Sequence, residues 1–166
     1  MKKIRIKTIM FLLMATLTGI TFLSCNDDEK EESIRKVNKI ALSDDTSSLL
    51  DSLFKQQNQN LYVDTILIIN SMTELNALID YNGAEIDFSN YTLIVGYVST
   101  PNLSCSITSN DLYYDSVNKS YIFKINVDIG IFVFPAFDTL CFWGMYPKIN
   151  NDANMNLKVN YNNEKN

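Results

Sequence analysis

The chain contains no histidine. That absence excludes the Ser-His-Asp and Cys-His nucleophile systems and any zinc or haem held by imidazole. Glycine is scarce, five in 166 residues, and no Gly-rich loop is present to cradle a phosphate. The three cysteines form no CxxC pair, so redox and zinc arrangements of that type are missing too. Positive charge is also thin. Lys and Arg total 14 against 19 Asp and Glu, and no basic residue occurs between Lys55 and Lys119. A nucleic-acid partner needs a basic face to neutralise phosphates, so none is expected. What remains is apolar enough to fold: 46% of residues are hydrophobic and 11% aromatic, consistent with one domain of ordinary size.

The first 24 residues differ from the rest. Their only charges are Lys2, Lys3, Arg5 and Lys7, and residues 8–24 are an uncharged run of 17. A basic segment before a short apolar one is the secretory signal pattern. A bilayer-spanning helix normally needs about 20 apolar residues, so a retained membrane helix is the competing reading. Leu23-Ser24-Cys25 closes the run with a small residue before a cysteine. This resembles the lipobox of bacterial lipoproteins. The resemblance implies cleavage before Cys25, lipidation of its thiol with diacylglycerol, and anchoring by fatty acyl chains such as palmitate. More than one chain gives stable anchoring, at about 0.8 kcal/mol per buried methylene.

Asn26-Asp27-Asp28-Glu29-Lys30-Glu31-Glu32 follows. Such a run serves as a solvated acidic linker. It also resembles the acidic surface-export signal of Bacteroidetes lipoproteins, which implies an outer-membrane protein facing outward; without that signal it would face the periplasm. Removing residues 1–24 takes away four positive charges and no negative ones. The remainder carries 10 basic and 19 acidic residues, a net charge of −9.

The hydrophobic pattern divides the rest. Residues 25–60 read as an acidic and polar tether with a marginal helix, in which Leu49, Leu50, Leu53 and Phe54 share a face and Asp44 or Asp45 provides the cap. Residues 61–162 read as a β-rich globular domain. Val63–Ile69 is a strand. Ser71-Met72-Thr73-Glu74 fits a capping box, predicting a short helix that ends near Asn82-Gly83. Tyr91–Val98 is apolar on both parities, as in a strand covered on two faces. Leu103, Cys105 and Ile107 alternate with polar residues. Tyr121–Ile129 alternates after a turn at Asp115–Lys119, Thr139–Tyr146 forms a strand before Pro147, and Met155–Tyr161 alternates again. The predicted class is α+β: a mostly antiparallel sheet of about six strands with one short helix packed on it.

Ile68-Ile69-Asn70-Ser71, Glu74-Leu75, Ile86-Asp87-Phe88-Ser89, Tyr91-Thr92-Leu93, Trp143 and Pro147-Lys148 occur in this order. In these stretches the chain resembles small Bacteroidetes outer-membrane lipoproteins of unknown function, over roughly residues 61–161. The Asp-Phe-Ser stretch before a strand is similar, more remotely, to the C-terminal domain of the protease-complex component B family. The resemblance implies a fold and an envelope location, and it brings no catalytic residues.

Candidate chemistry is sparse. Cys105 and Cys141, 36 residues apart, allow one disulfide in an exported chain or two thiols in the core. Ser116-Val117-Asn118-Lys119 matches S-x-x-K, yet it reads as a hairpin turn, and Ser33–Lys36 matches equally well. Glu85 and Asp87 form either a carboxylate pair or an exposed turn. Asp64-Thr65-Ile66, Asp115-Ser116-Val117 and Asp138-Thr139-Leu140 resemble the O-glycosylation pattern of Bacteroidetes exported proteins. Ile131–Phe137 is apolar throughout and contains Pro135, which cannot donate to a sheet ladder. It covers the core, or it forms a partner surface with Phe132, Phe134, Phe137 and Trp143.

The expectation is therefore a lipid-anchored envelope protein acting as a non-catalytic binding or accessory module for a protein or glycan, without cofactor or metal. An inhibitor or regulator of an exported protease is the alternative implied by the remote similarity, and a carboxylate-only hydrolase is the third. The anchor has a direct test. The Cys25→Ala chain is expected to lose incorporation of radioactive fatty acid and to leave the membrane fraction; unchanged labelling would exclude lipidation at Cys25.

Overall fold

The computed structural model describes residues 33–57, 64–101, 103–130 and 138–163. Among them the order of elements is β1 (Ile34–Val37), α1 (Asp44–Gln57), β2 (Thr65–Ile69), α2 (Met72–Leu78), β3 (Tyr91–Thr100), β4 (Ser106–Asp115), β5 (Ser120–Ile129), β6 (Asp138–Pro147) and β7 (Met155–Asn163). The strands form a four-stranded sheet, β1-β4-β5-β7, and a three-stranded sheet, β2-β3-β6. The fold is α+β and mostly antiparallel; only β5 and β7 run parallel. Parallel neighbours need a crossover, and here β6, in the other sheet, lies within it.

The sequence of β3 shows why there are three layers. Leu93, Val95 and Tyr97 pack with Leu50 and Phe54 of α1 and Leu75 of α2 in one core cluster. Ile94 and Val98, on the opposite parity, pack with Leu112, Phe123, Ile125 and Val127 of the larger sheet. Helices therefore cover one face of the small sheet and the larger sheet covers the other. Phe123 links the layers, with its ring 4.9 Å from Phe142 and edge-on to Tyr146 at 6.0 Å.

The helix starts where expected, but only half of the capping box forms on the cap itself, since Glu74 reaches past Ser71 to the residue before it. Ser71 Oγ accepts from Glu74 N at 3.1 Å, and the Glu74 carboxylate reaches back to Asn70 N at 2.6 Å. This cap joins a buried polar node. Thr92, fully buried, donates to Asn70 Oδ1 at 2.6 Å and accepts from Ile149 N at 2.8 Å, while Asn70 Nδ2 donates to Ile149 O at 2.7 Å. Each buried polar atom finds a partner, so α2 is fixed to the segment that leaves β6 without the cost of an orphaned hydroxyl. In the β4–β5 hairpin, Asp115 accepts from Val117 N and Asn118 N at 3.0 and 3.1 Å, and Lys119 takes the left-handed conformation at φ 47°.

Some expectations are corrected. The segment read as tether is largely domain, because the compact unit begins at Ser33. Ile34–Val37 pairs with β4, where its charged residues find partners: Lys36 Nζ lies 2.7 Å from Asp111, and Arg35 stacks over Tyr114 at 5.4 Å. The 44–57 helix is docked through Leu50 and Phe54. Burial of such side chains stabilises by about 1.5–3 kcal/mol each, which sets a helix that is marginal alone. Its cap is Ser43, whose Oγ accepts from Thr46 N at 3.3 Å; Asp44 and Asp45 occupy the first turn, where negative charge suits the helix dipole. The second helix stops at Leu78, with Ile79 extended, short of Asn82-Gly83. Strand β4 begins at Ser106, so Leu103 and Cys105 precede it.

Gly96 sits opposite Phe142 in the β3–β6 register, and a Cβ there would strike the Phe142 ring and lie 2.7 Å from Thr65 O. Backbone cannot give way as a side chain can. Gly96→Ala is expected to lower unfolding free energy by about 1–3 kcal/mol in urea denaturation; an unchanged midpoint would show that the Phe142 ring does not lie this closely over β3.

Candidate functional site

Strand β6 is an edge of the small sheet, and along it runs a groove of about 610 Å³. One wall is β6 itself, from Cys141 to Met145. The other consists of the Lys39–Leu42 segment and α1, which presents Ser47, Asp51 and Lys55. Helix periodicity produces this wall: Ser47, Asp51 and Lys55 recur every four residues and share a face, while Leu50 and Phe54 turn into the core.

Trp143, the sole tryptophan, lies in the groove with its indole Nε1 donating to Asp51 Oδ1 at 2.5 Å. The bond spans 92 residues and fixes the ring between α1 and β6. Lys39 donates its amine to Asn110 Oδ1, and desolvation there pushes the amine below its ordinary pKa. Tyr146 is fully buried, its hydroxyl has no hydrogen-bond partner among the described residues, and burial pushes its pKa up. The Tyr146 hydroxyl and Lys39 Cε lie 2.9 and 3.1 Å from the point a Cβ on Gly144 would occupy. Glycine at 144 thus lets the Tyr146 ring and the Lys39 stem close against the β6 backbone. A second hollow, of about 460 Å³, lies beside Arg35, Lys36, Tyr114, Tyr121 and Lys148.

Of the residues singled out in the sequence, Trp143 and Cys141 line this groove. Phe132, Phe134 and Phe137 lie outside the described residues, as does Cys25. Cys105 and Cys141 are thiols, and the disulfide is corrected. Cys105 belongs to the cluster between the sheets, whereas Cys141 packs against the cluster under the helices, so the small sheet separates them. Cys141 stands opposite Tyr97 across β3 and β6; burial first, and then the Asp51 charge, push its thiol up to about 12.

The remaining candidates are local structure. Ser116 and Lys119 lie in the β4–β5 turn, where Ser116 Oγ donates to Ser33 O at 3.1 Å. Asp87 closes its own turn, accepting from Ser89 Oγ, from Asn90 Nδ2 at 2.9 Å and from Ser89 N at 3.1 Å; the Ser89 hydroxyl first, and then Asn90, hold its carboxyl below its ordinary pKa, and Glu85 is exposed beside it. Of the three resemblances to glycosylation acceptors, Ser116 is exposed, while Thr65 and Thr139 are half-buried on strands. Among the described residues no group of three or more acidic or sulfur ligands converges on a metal position. No described helix is long and apolar enough to cross a membrane.

Compared with protein-family models, with curated proteins and with solved structures, the chain matches none. Lys39, Asp51 and Lys55 were not legible as site residues. Asp51 and Lys55 look like solvated helix positions, and only the fold brings them to Trp143.

A thiol held near 12 is almost wholly protonated at pH 8, and the thiolate is the nucleophile. Cys141 in the folded protein is therefore expected to react with iodoacetamide at least about tenfold more slowly than in urea, read by peptide mass mapping. Equal rates would show that the Cys141 side of the groove is open to water.

Proposed function

We propose that this is a lipid-anchored envelope protein, exposed at the surface of the outer membrane, whose domain is a non-catalytic binding module with its site in the groove between α1 and β6. The observation that carries the reading is the Trp143–Asp51 pair flanked by Lys39 and Lys55. An indole ring held in place by a carboxylate offers a rigid apolar surface at little entropic cost, and ammonium groups beside it add polar recognition. The anchor rests on Leu23-Ser24-Cys25 and the location on the acidic run after it. The net charge of −9 beyond residue 24 fits a domain repelled by anionic membrane surfaces and held by its lipid alone.

The test uses photo-crosslinking in intact cells. A photoreactive residue is placed at Ala41, which is exposed on the groove wall, and in a separate chain at Val117, which is 74% exposed on the distant hairpin turn. Adducts, with protein or glycan, are expected from position 41 and to fall about tenfold in Asp51→Lys, which reverses the charge that holds the indole. Adducts from position 117 alone would move the site away from the groove.

A further inference from the structure

The backbone of β6 faces two ways. Lys148 N donates to Asn90 O at 2.9 Å, continuing the β3 side of the ladder, and Ile40 N donates to Met145 O at 2.8 Å on the opposite side. Antiparallel pairing alternates these directions residue by residue. Even-numbered residues of β6 therefore turn their N–H and C=O toward β3, and Met145, Trp143 and Cys141 turn theirs outward. Ile40 pairs with Met145 as an isolated antiparallel bridge. Beyond it, at Trp143 and Cys141, no described residue takes up the outward-facing groups, and the space beside them is the groove.

Building on the proposed binding module, we infer that the groove receives an extended, acidic peptide segment of a partner protein, which adds a strand to the edge of β6 at Trp143 and Cys141. The ladder begun by Ile40 sets the line of the added strand. Successive side chains of a strand point to opposite faces, and the groove offers a different surface on each. Toward the helices lie Trp143, Asp51 and Lys55. Toward the larger sheet lie Lys39, Asn110 and Ile107. Main-chain hydrogen bonds then provide affinity, and the two surfaces select alternate side chains. The charge balance selects their sign. Two lysines face one aspartate, whose Oδ1 already accepts from Trp143, in a chain that is acidic overall. A carboxylate is drawn to this groove and away from most of the remaining surface.

Trp143 reports on the site directly, since no other tryptophan contributes emission. The full-length chain in detergent is titrated with an end-blocked peptide of alternating valine and glutamate, with its lysine counterpart, and with the glutamate peptide N-methylated at alternate residues. The glutamate peptide is expected to shift Trp143 emission saturably. N-methylation on the edge-facing residues removes ladder donors and is expected to weaken binding about tenfold, as is replacement of glutamate by lysine. Lys39→Glu is expected to reverse the preference between the two charged peptides. Equal binding of the N-methylated peptide, with the protein itself unaltered, would overturn strand addition. A response to acidic oligosaccharides alone would overturn the peptide and leave the binding module standing. Dimerisation in sedimentation, with no peptide response, would give the edge to a second copy of the chain and overturn the inference. No response to any ligand, with no adduct at position 41, would remove both readings.

Discussion

Burial of the β3–β6 pair on two faces is the constraint from which the rest of the architecture follows. A strand wet on one side needs apolar residues at every second position; β3 needs them at all positions, and has them from Leu93 to Val98 apart from Gly96. Where Phe142 must lie across the strand, glycine is the residue that leaves room. Where the strand begins, Thr92 is buried, and its hydroxyl is tolerable because Asn70 and Ile149 satisfy it. The same node reaches the cap of α2 through Glu74, so one set of hydrogen bonds joins the helical layer to the end of β6.

Elements whose signal is local were legible in the sequence. Tyr91–Val98 announced its two-sided burial, Ser71 and Glu74 announced a helix start, and Tyr121–Ile129 announced a half-covered strand. Elements stabilised by distant partners were not. Ile34–Val37 carries two adjacent basic residues and shows no alternation worth the name; it is a strand because β4 presents Tyr114 opposite Arg35 and Asp111 diagonally to Lys36. Helix α1 sits among Ser, Asn and Gln and reads as tether, yet Leu50 and Phe54 are fully buried under it. The parallel partnership of β7 with β5 is a matter of topology and leaves no mark on residue pattern.

The groove belongs to the second kind. Trp143 stood out by being alone of its type, but its partner Asp51 is 92 residues away on a helix that seemed marginal. The two edges of the fold described by β1 and β6 also differ in how they are protected. Arg35 and Lys36 place charge directly on the β1 edge, a device that discourages pairing with other chains. On β6 the neighbouring residues are cysteine, phenylalanine and tryptophan, and what stands beside them is a helix set back by a groove rather than charge on the strand itself.

The parallel contact between β5 and β7 also bears on how the chain reaches its native state. Residues 130–154 separate the two strands, and they include β6, which belongs to the opposite sheet. Closing so long a connection costs chain entropy before the pairing returns any enthalpy, and topologies rich in such non-local contacts fold slowly. The β4–β5 hairpin, with its turn held by Asp115, can form early and locally, whereas the last strand completes its sheet only after a long detour. A polypeptide built in this order stays unfolded for longer after synthesis than one whose sheets close through local hairpins alone.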